Sequence, residues 1–316
     1  MYKNLSEHEY IDKNTTKLKG IYRKGWVEKQ LIMQQFNEIT REMEKQSINY
    51  VLLNDQASIA NLYSDDGIRL PFSSDFWIHP DHISRCLDIF RSLKIKPKIN
   101  RPLRYLSVET SLPLWSNNHG MYTITWRPIP GIVTREDAIA FFDDGSNFLH
   151  TKPGATLSLE LQFIMACMQF SRSTPQAAFN AIIDVAHMMK KYKEKMDWDI
   201  VAYHTERFQL ILIILDSFLF LVDVLASDLQ EINKRFRKIE ISSARRLEHK
   251  ILKSKKGGFF VQIAKRLARY VQAPKNHGWL SFPRYIQYTW GANGLIEIPI
   301  KALERFENLM WKKEAN

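Results

Sequence analysis

Cysteine is scarce in this sequence. Its 316 residues include only two cysteines, Cys86 and Cys167. Two cysteines cannot supply a disulfide framework or a four-cysteine zinc site, so both of those protein classes are excluded. The low count is typical of proteins from a reducing compartment.

The sequence also lacks a long hydrophobic run. Its most apolar stretch, residues 210–225, contains Asp216, Ser217 and Asp223 and is too short and too acidic to cross a bilayer. The first twenty residues mix charged and polar side chains without an apolar core, unlike a secretory signal. We therefore expect a soluble, cytoplasmic protein without a membrane partner.

The short motifs of several common enzyme classes are missing. The twelve glycines are scattered, and Gly257-Gly258 stands among lysines, so no glycine-rich loop is built to hold a phosphate or a dinucleotide. The motifs His-Glu-x-x-His, Cys-x-x-Cys and Gly-x-Ser-x-Gly are absent as well. These absences argue against P-loop, Rossmann, zinc-protease and α/β-hydrolase proteins.

The composition that remains is that of an ordinary globular protein with one strongly basic segment. Hydrophobic residues make up 45% and charged residues 25%, and the length favours about two domains. The net charge is +11, and residues 234–275 hold fourteen Lys and Arg against two Glu. The rest of the chain is close to neutral, so the charge indicates a local partner or site.

The first part of the chain mixes short helices and strands. Apolar residues at helical spacing predict helices over residues 25–47, 56–63 and 81–93. Runs rich in β-branched, aromatic and other apolar residues predict strands at residues 48–53, 76–78, 105–109 and 121–126. This mixture predicts an α+β fold.

The second part is predicted to be helical. Its helices are expected over residues 157–170, 175–192, 199–225, 229–253, 259–271 and 300–312. Thr151-Lys152-Pro153-Gly154 interrupts any regular element, so we place a domain boundary there. The predicted units are an extension over residues 1–24, an α+β domain over 25–153 and a helical domain over 154–316, which contains the basic segment.

An ordered series of short motifs runs from about residue 25 to about residue 225. Its members are residues 48–57 (Ile-Asn-Tyr-Val-Leu-Leu-Asn-Asp-Gln-Ala), Leu62-Tyr63, Arg69, residues 74–78 (Ser-Asp-Phe-Trp-Ile), residues 122–127 (Tyr-Thr-Ile-Thr-Trp-Arg), residues 181–186 and residues 196–201. In this order the motifs resemble a bacterial family of uncharacterised nucleotidyltransferases, whose fold is similar to that of the polymerase-β type. The resemblance implies a nucleotidyltransferase-like mixed sheet followed by a helical domain.

The resemblance also implies a site. Asp75 matches the first acid of the family's Asp-x-Asp pair, which implies that it binds Mg²⁺ and takes part in catalysis. Residues at or beside the other motif positions are implied to bind a nucleotide: Asn54, Arg69, Ser74, Trp77, Thr123, Thr125 and Arg127. The implied ligand is a nucleoside triphosphate in the cleft between the two domains, and the implied reaction moves its nucleotide onto a small molecule or peptide.

The sequence departs from the family pattern at the metal-binding positions. Trp77 occupies the second acid position and Thr123 the third, while Asn54-Asp55 replaces the family's Lys-Gly and Thr125 its later His. Two ions held about 4 Å apart need several carboxylates, and Asp75 alone could hold one ion together with nucleotide phosphates. Two functions therefore stay open, a nucleotidyltransferase with a reduced metal site and an inactive protein that binds or scaffolds. Trp77 either packs in the old metal pocket or stacks on a base.

The basic segment has two interpretations of its own. Lys255, Lys256, Arg266 and Arg269 could bind the phosphates of a nucleic acid, or the segment could bind a peptide partner. Alternatively the segment is a solvated face, because Ile263, Leu267 and Tyr270 supply a buried stripe.

Overall fold

The computed structural model describes most of the chain. The described residues are 14–63, 73–99, 102–106, 109–116, 120–129, 132, 134–151, 154–172, 175–225, 234, 236–254, 261, 264–265, 267–268, 270, 282–290, 292 and 294–303. The predicted helix over 229–253 lies partly outside these residues, and those over 259–271 and 300–312 lie mostly outside them. Arg69 lies outside them entirely.

The described elements alternate helices with strands in the first half and are helical after it. The helices are α1 (Thr15–Lys45), α2 (Asn54–Leu62), α3 (Ile83–Ser92), α4 (Pro102–Leu106), α5 (Arg135–Asp143), α6 (Leu159–Arg172), α7 (Pro175–Tyr192), α8 (Trp198–Arg207), α9 (Ile211–Leu225), α10 (Ser243–Lys253) and α11 (Phe282–Trp290). The strands are β1 (Tyr50–Leu53), β2 (Ser73–Ile78), β3 (Lys96–Pro97), β4 (Ser111–Trp115), β5 (Met121–Thr125), β6 (Phe148–His150) and β7 (Ala155–Leu157).

The strands form one mixed sheet. Its seven strands lie in the order β3-β4-β5-β2-β1-β7-β6. The pairs β2–β5 and β1–β7 are parallel, and the other neighbours are antiparallel. The predicted α+β class with a mixed sheet and following helices is confirmed.

Side chains that alternate along β2 pack against helices on both faces of the sheet. Phe76 stacks on Phe36 of α1, with ring centroids 5.6 Å apart, and meets Phe90 of α3 edge-on. Trp77, the next residue, therefore points to the opposite face, where it packs against Phe141 of α5. All four residues of β1 are buried, which explains their uniformly apolar sequence.

Two predicted elements are wrong. Of the strand predicted over residues 105–109, residues 105 and 106 end helix α4, residues 107 and 108 lie outside the described ranges, and a strand is found instead at Ser111–Trp115. The helix predicted over 199–225 is two helices, because Gln209 adopts a left-handed φ of 57° and ends α8.

Regular elements lie on both sides of the predicted domain boundaries at residues 24 and 153, and the division into domains stays a prediction. Helix α1 starts at Thr15, so part of the predicted extension is helical. Strand β7 lies beyond residue 153 and pairs with β1 inside the sheet. The sheet therefore continues to Leu157, and only helices follow it among the described elements. No helix among the described residues has the length and apolar character needed to span a membrane.

Candidate functional site

The sheet brings three predicted site residues together at one end of its central strands. In the antiparallel pair of β1 and β2, Asp75 lies opposite Leu53, the residue before Asn54. In the parallel pair of β2 and β5, Asp75 lies opposite Thr123. Asn54, Asp75 and Thr123 therefore meet where β1 ends and β2 and β5 begin.

Asp75 is enclosed by hydrogen-bond donors. Asn54 donates from Nδ2 to Oδ2 of Asp75 at 2.6 Å, and Ser73 donates from Oγ to Oδ1 at 2.9 Å. The Thr123 hydroxyl donates to the same carboxylate. The side chain is buried, and burial raises its pKa above the ordinary aspartate value, an effect that these donors partly offset.

Two residues that the sequence reasoning missed complete this cluster. Asp55 is buried in the first turn of α2, and its Oδ2 accepts the Ser73 backbone N–H at 3.4 Å. Its negative charge further raises the pKa of Asp75. Ser73 therefore bridges two buried carboxylates, through its backbone N–H and its hydroxyl. The Ser-x-Asp spacing at 73 and 75 was the available signal, since residues two apart in a strand share a face.

Ser74 lies on the other face of β2. Its buried hydroxyl accepts a hydrogen bond from Nε2 of Gln56 at 2.8 Å. Successive strand residues point in opposite directions, so Ser74 does not face the Asp75 cluster. The structure gives it a contact that ties α2 to β2.

Trp77 shares the face of Asp75 but is part of the core. Its exposure is 0%, and its indole Nε1 donates to the Trp126 carbonyl at 3.1 Å. Ring centroids of Phe142 and Phe148 lie 4.9 Å and 5.7 Å from its own. Of its two predicted roles, these contacts match packing, because no face of the indole is left for a base.

Thr125 and Arg127 belong to a second buried network at the far end of β5. Thr125 Oγ1 donates to the Thr110 carbonyl at 2.5 Å and accepts the Arg127 backbone N–H at 3.2 Å. The Arg127 guanidinium lies 4.5 Å from the centroid of the Trp126 ring. Burial lowers the pKa of Arg127 to about 10, against the opposing effect of Glu109. Both residues are buried, so a nucleotide would reach them only after this network opened.

The residues at the Asp75 cluster do not fit a two-ion magnesium site. Within the described ranges no three His, Cys, Asp or Glu side chains are grouped to hold a metal ion. Both oxygens of Asp75 already accept side-chain hydrogen bonds. The positions at which the resemblance to the family implies the other two acids hold Trp77 and Thr123. Magnesium needs near-octahedral oxygen ligation and two ions need several carboxylates, whereas the matched positions supply Asp75 alone.

A narrow cleft lies beside Asn54, between α2 and the helices α6 and α7. Its walls include Asn54 and Ser58 of α2, Gln162 and Met165 of α6, and Asp184 of α7. Its volume is about 20 Å³, room for about one water molecule. This space is too small for a nucleotide, and the predicted ligand cleft between the two domains stays a prediction.

A larger cavity of about 330 Å³ lies between the start of α9 and α10. Its walls combine apolar residues such as Ile211 and Leu252 with charged ones such as Arg245. Nearby, Oδ2 of Asp216 lies 2.8 Å from Nε2 of His249 and 2.7 Å from Nζ of Lys253, which fastens α10 to α9.

Part of the basic segment belongs to α10. There Lys253 pairs with Asp216, and Arg245 pairs with Glu248 at 2.6 Å. These ion pairs neutralise part of the segment's positive charge within the protein. Lys255, Lys256, Arg266 and Arg269 lie outside the described residues, so the predicted nucleic-acid or peptide surface stays a prediction.

Comparison with known proteins connects this architecture to a family. Searches of curated proteins and of solved structures find no significant match. The sequence model of the uncharacterised nucleotidyltransferase family matches residues 1–227, which include the sheet, the Asp75 cluster and helices α1 to α9. With most of its length matched, the chain belongs to the uncharacterised nucleotidyltransferase family.

Proposed function

We propose that the protein binds a nucleotide in the predicted cleft between the two domains, beside Asn54, without carrying out two-metal nucleotidyl transfer. Membership of the family supports the ligand class. The observation that supports the absence of two-metal transfer is the hydrogen bonding of Asp75, whose two oxygens accept hydrogen bonds from Asn54 and Ser73.

In this proposal hydrogen-bond donors take the place of a metal ion. A carboxylate in a two-ion site directs its lone pairs to cations, which clamp the phosphates and the attacking hydroxyl. Here the lone pairs of Asp75 receive N–H and O–H groups from Asn54, Ser73 and Thr123 instead. The carboxylate then organises the ends of β1, β2 and β5 as a structural element.

Trp77 supports the same proposal. An acid at that position would share a strand face with Asp75 and complete the Asp-x-Asp pair. The indole instead fills the space between β2 and α5, against Phe141 and Phe142. Restoring the second acid would require emptying part of the core.

Calorimetric titration of ATP, GTP, CTP and UTP, each with Mg²⁺ and with EDTA, tests the proposal. We expect one of them to bind with an affinity that Mg²⁺ changes by no more than about twofold. Asp75→Asn should leave that affinity nearly unchanged. Asn54→Ala should weaken binding, since Asn54 lines the cleft, while Asn37→Ala on the exposed side of α1 is the matched control.

Two results would contradict the proposal. Release of pyrophosphate that Asp75→Asn abolishes would assign the protein to active nucleotidyltransferases with a reduced metal site. Absence of binding by all four nucleotides would remove the ligand class and leave a scaffolding module.

Nucleic-acid binding by the basic segment 234–275 is the competing proposal. It requires RNA or DNA affinity that falls steeply with salt and is lost when Lys255, Lys256, Arg266 and Arg269 are neutralised. The pairing of Arg245 and Lys253 with acids of the protein favours the nucleotide proposal over this one.

A further inference from the structure

The cavity between the start of α9 and α10 is large enough for a small molecule. Its volume of about 330 Å³ reaches the range of ligand pockets, which begins at roughly 300 Å³. Its walls come from three parts of the chain, which are the corner between α8 and α9, residues 239–242 and the inner side of α10. None of these parts belongs to the Asp75 cluster.

The side chains in the walls are sorted by polarity. Ile211 and Ile213 are each 6% exposed and form an apolar floor. The other apolar residues of the walls are half-buried, namely Leu212, Ile239, Ile241 and Leu252. The exposed residues of the walls are all polar, namely Glu206, Gln209, Glu240, Ser242 and Arg245. The cavity therefore fits a molecule with an apolar body inside and a polar end at the mouth.

The unpaired charge at this mouth is negative. Arg245 pairs with Glu248 at 2.6 Å, so the guanidinium in the wall already has its carboxylate. His249, also in the wall, lies against Asp216. Glu206 and Glu240 have no ion pair or side-chain hydrogen bond within the part of the chain that the structure describes. Two carboxylates are thus left to face a ligand.

The ends of the surrounding helices do not reverse this charge. Helices α9 and α10 begin at the cavity, and each N-terminus contributes a partial positive charge of about half a unit. Helix α8 ends at the same corner and contributes a partial negative charge of similar size. The full charges of Glu206 and Glu240 outweigh these partial charges, so a cation is favoured over an anion.

We propose that this cavity binds a small aliphatic amine. The hydrocarbon chain lies on the floor formed by Ile211 and Ile213, and the ammonium lies at the mouth near Glu206 and Glu240. Burial of the chain supplies the hydrophobic gain, while the ammonium keeps part of its hydration. This ligand differs in class from the nucleotide of the proposed function and uses other elements of the fold.

Methyl NMR of the full chain with labelled isoleucines tests this site, with hexylammonium as the probe at neutral pH. The methyl signals of Ile211, Ile213, Ile239 and Ile241 should shift, while Ile129, which is 0% exposed in the core, should not. A dissociation constant on the order of 1 mM is expected for a ligand of so few atoms. Hexan-1-ol should bind more weakly because it lacks the charge, and hexanoate more weakly still because the glutamates repel it.

Removing the two carboxylates tests the class of ligand. The double variant Glu206→Gln/Glu240→Gln should bind hexylammonium roughly two- to fivefold more weakly for each glutamate, the effect of a solvent-exposed ion pair. Its affinity for hexan-1-ol should not change. Glu136→Gln, at an exposed glutamate of α5, is the matched control and should leave both affinities unchanged.

Filling the cavity tests its position. Leu252→Trp should abolish binding of hexylammonium and of hexan-1-ol, because the indole occupies the space. Leu247→Trp, at a 60% exposed leucine of the same helix, should not affect either. If Leu252→Trp does not fold, the glutamate variants decide, since they change only exposed side chains. Hexylammonium that leaves the four methyl signals in place, or hexan-1-ol or hexanoate that binds as tightly as hexylammonium, overturns the proposal.

Discussion

Asn54 and Asp75 are joined by a hydrogen bond of 2.6 Å between Nδ2 and Oδ2, which connects the end of β1 to β2. Asn54 adopts a left-handed φ of 48°, a conformation that asparagine tolerates better than most residues. The backbone therefore turns sharply between β1 and α2 at the residue whose side chain meets Asp75. A neutral amide therefore links β1 to β2 at the position where the resemblance to the family implies a lysine.

The first prediction concerns the pH dependence that Asp75 contributes to stability. Because its pKa is raised in the folded state, the folded protein holds this proton more tightly than the unfolded chain. That contribution is complete below the unfolded pKa of about 3.9 and is lost as pH rises through the folded one. We expect the Asp75→Asn variant to become more stable relative to the wild type as pH rises through this window. The difference between their free energies of unfolding should change by at most about 1.4 kcal/mol per pH unit.

Urea unfolding from about pH 4 to about pH 7 measures this difference. Asp88→Asn, at a largely exposed aspartate of α3, is the control for removing a carboxylate elsewhere. Curves for Asp75→Asn and the wild type that stay parallel throughout would contradict a raised pKa.

A second prediction concerns the turn between β6 and β7. Gly154 has a φ of 82°, and a Cβ there would lie 2.6 Å from Cε2 of the Tyr50 ring. Gly154→Ala combines backbone strain with this clash, so we expect it to lower the free energy of unfolding by about 1–3 kcal/mol. Gly145→Ala, where no neighbour lies within 4 Å, should be close to neutral. Equal urea midpoints for the two variants would show that Tyr50 gives way at no cost.

The strands that form the site could be predicted from the sequence because their signals are local. Residues 50–53 are apolar and β-forming, and the motif order placed Asp75 and Thr123 in one site before any register was known. The register of β2 with β5 then sets the two opposite each other. The missed residues, Asp55 and Ser73, are polar groups whose contact depends on how α2 is set against β2, which no local pattern specifies.

The wrong elements also have local causes. Apolar residues continue through Phe208, Leu210 and Ile211, so periodicity alone gives no sign that Gln209 turns left-handed and ends α8. Strand β4 contains Pro113, a residue that argues against a strand. Pro113 is tolerated because the pairing of β4 with β3 ends at Leu114, which lies opposite Pro97, so Pro113 has no partner in β3.

The hydrogen bond between Tyr63 and Asp184 joins residues 121 positions apart, so no short-range sequence pattern could predict it.

The third prediction concerns His204, which stacks on Phe208 with ring centroids 5.7 Å apart. Burial and the charge of Arg207 lower its pKa, and Asp144 and Glu160 oppose that effect. A histidine with a lowered pKa contributes stability above its unfolded value of about 6.5, and this contribution is lost as pH falls through the window down to the folded pKa. We expect His204→Phe to flatten the loss of stability below about pH 6.5.

Thermal unfolding of His204→Phe and the wild type between about pH 5 and about pH 7.5 tests this. Phenylalanine keeps the ring stack, and among the described residues Nδ1 of His204 has no hydrogen-bond partner to lose. His150→Gln, at an exposed histidine of β6, is the control. A wild type and a His204→Phe variant with the same pH profile would refute the assignment.

The last prediction concerns Trp77, where an aspartate would create the Asp-x-Asp pair that the resemblance to the family implies. Trp77→Asp removes the ring that packs against Phe141, Phe142 and Phe148 and places a charge in that core. Emptying such a site costs about 3–5 kcal/mol, and an unpaired buried charge adds to the loss. We expect the free energy of unfolding to fall by at least about 4 kcal/mol, measured in urea.

Unfolding in the presence of Mg²⁺ shows whether the Trp77→Asp variant contains a metal site. If the cluster around Asp75 kept a latent metal site, Mg²⁺ would bind the folded Trp77→Asp variant and raise its stability with concentration. We expect Mg²⁺ and EDTA to give the same unfolding curve, because a hydrated ion cannot readily reach a carboxylate that is buried beneath hydrogen bonds from Asn54 and Ser73. Trp26→Asp, at a tryptophan 45% exposed on α1, controls for the change of residue and should cost far less. A Trp77→Asp variant as stable as Trp26→Asp, or one that Mg²⁺ stabilises, would mean that this position can form part of a metal site.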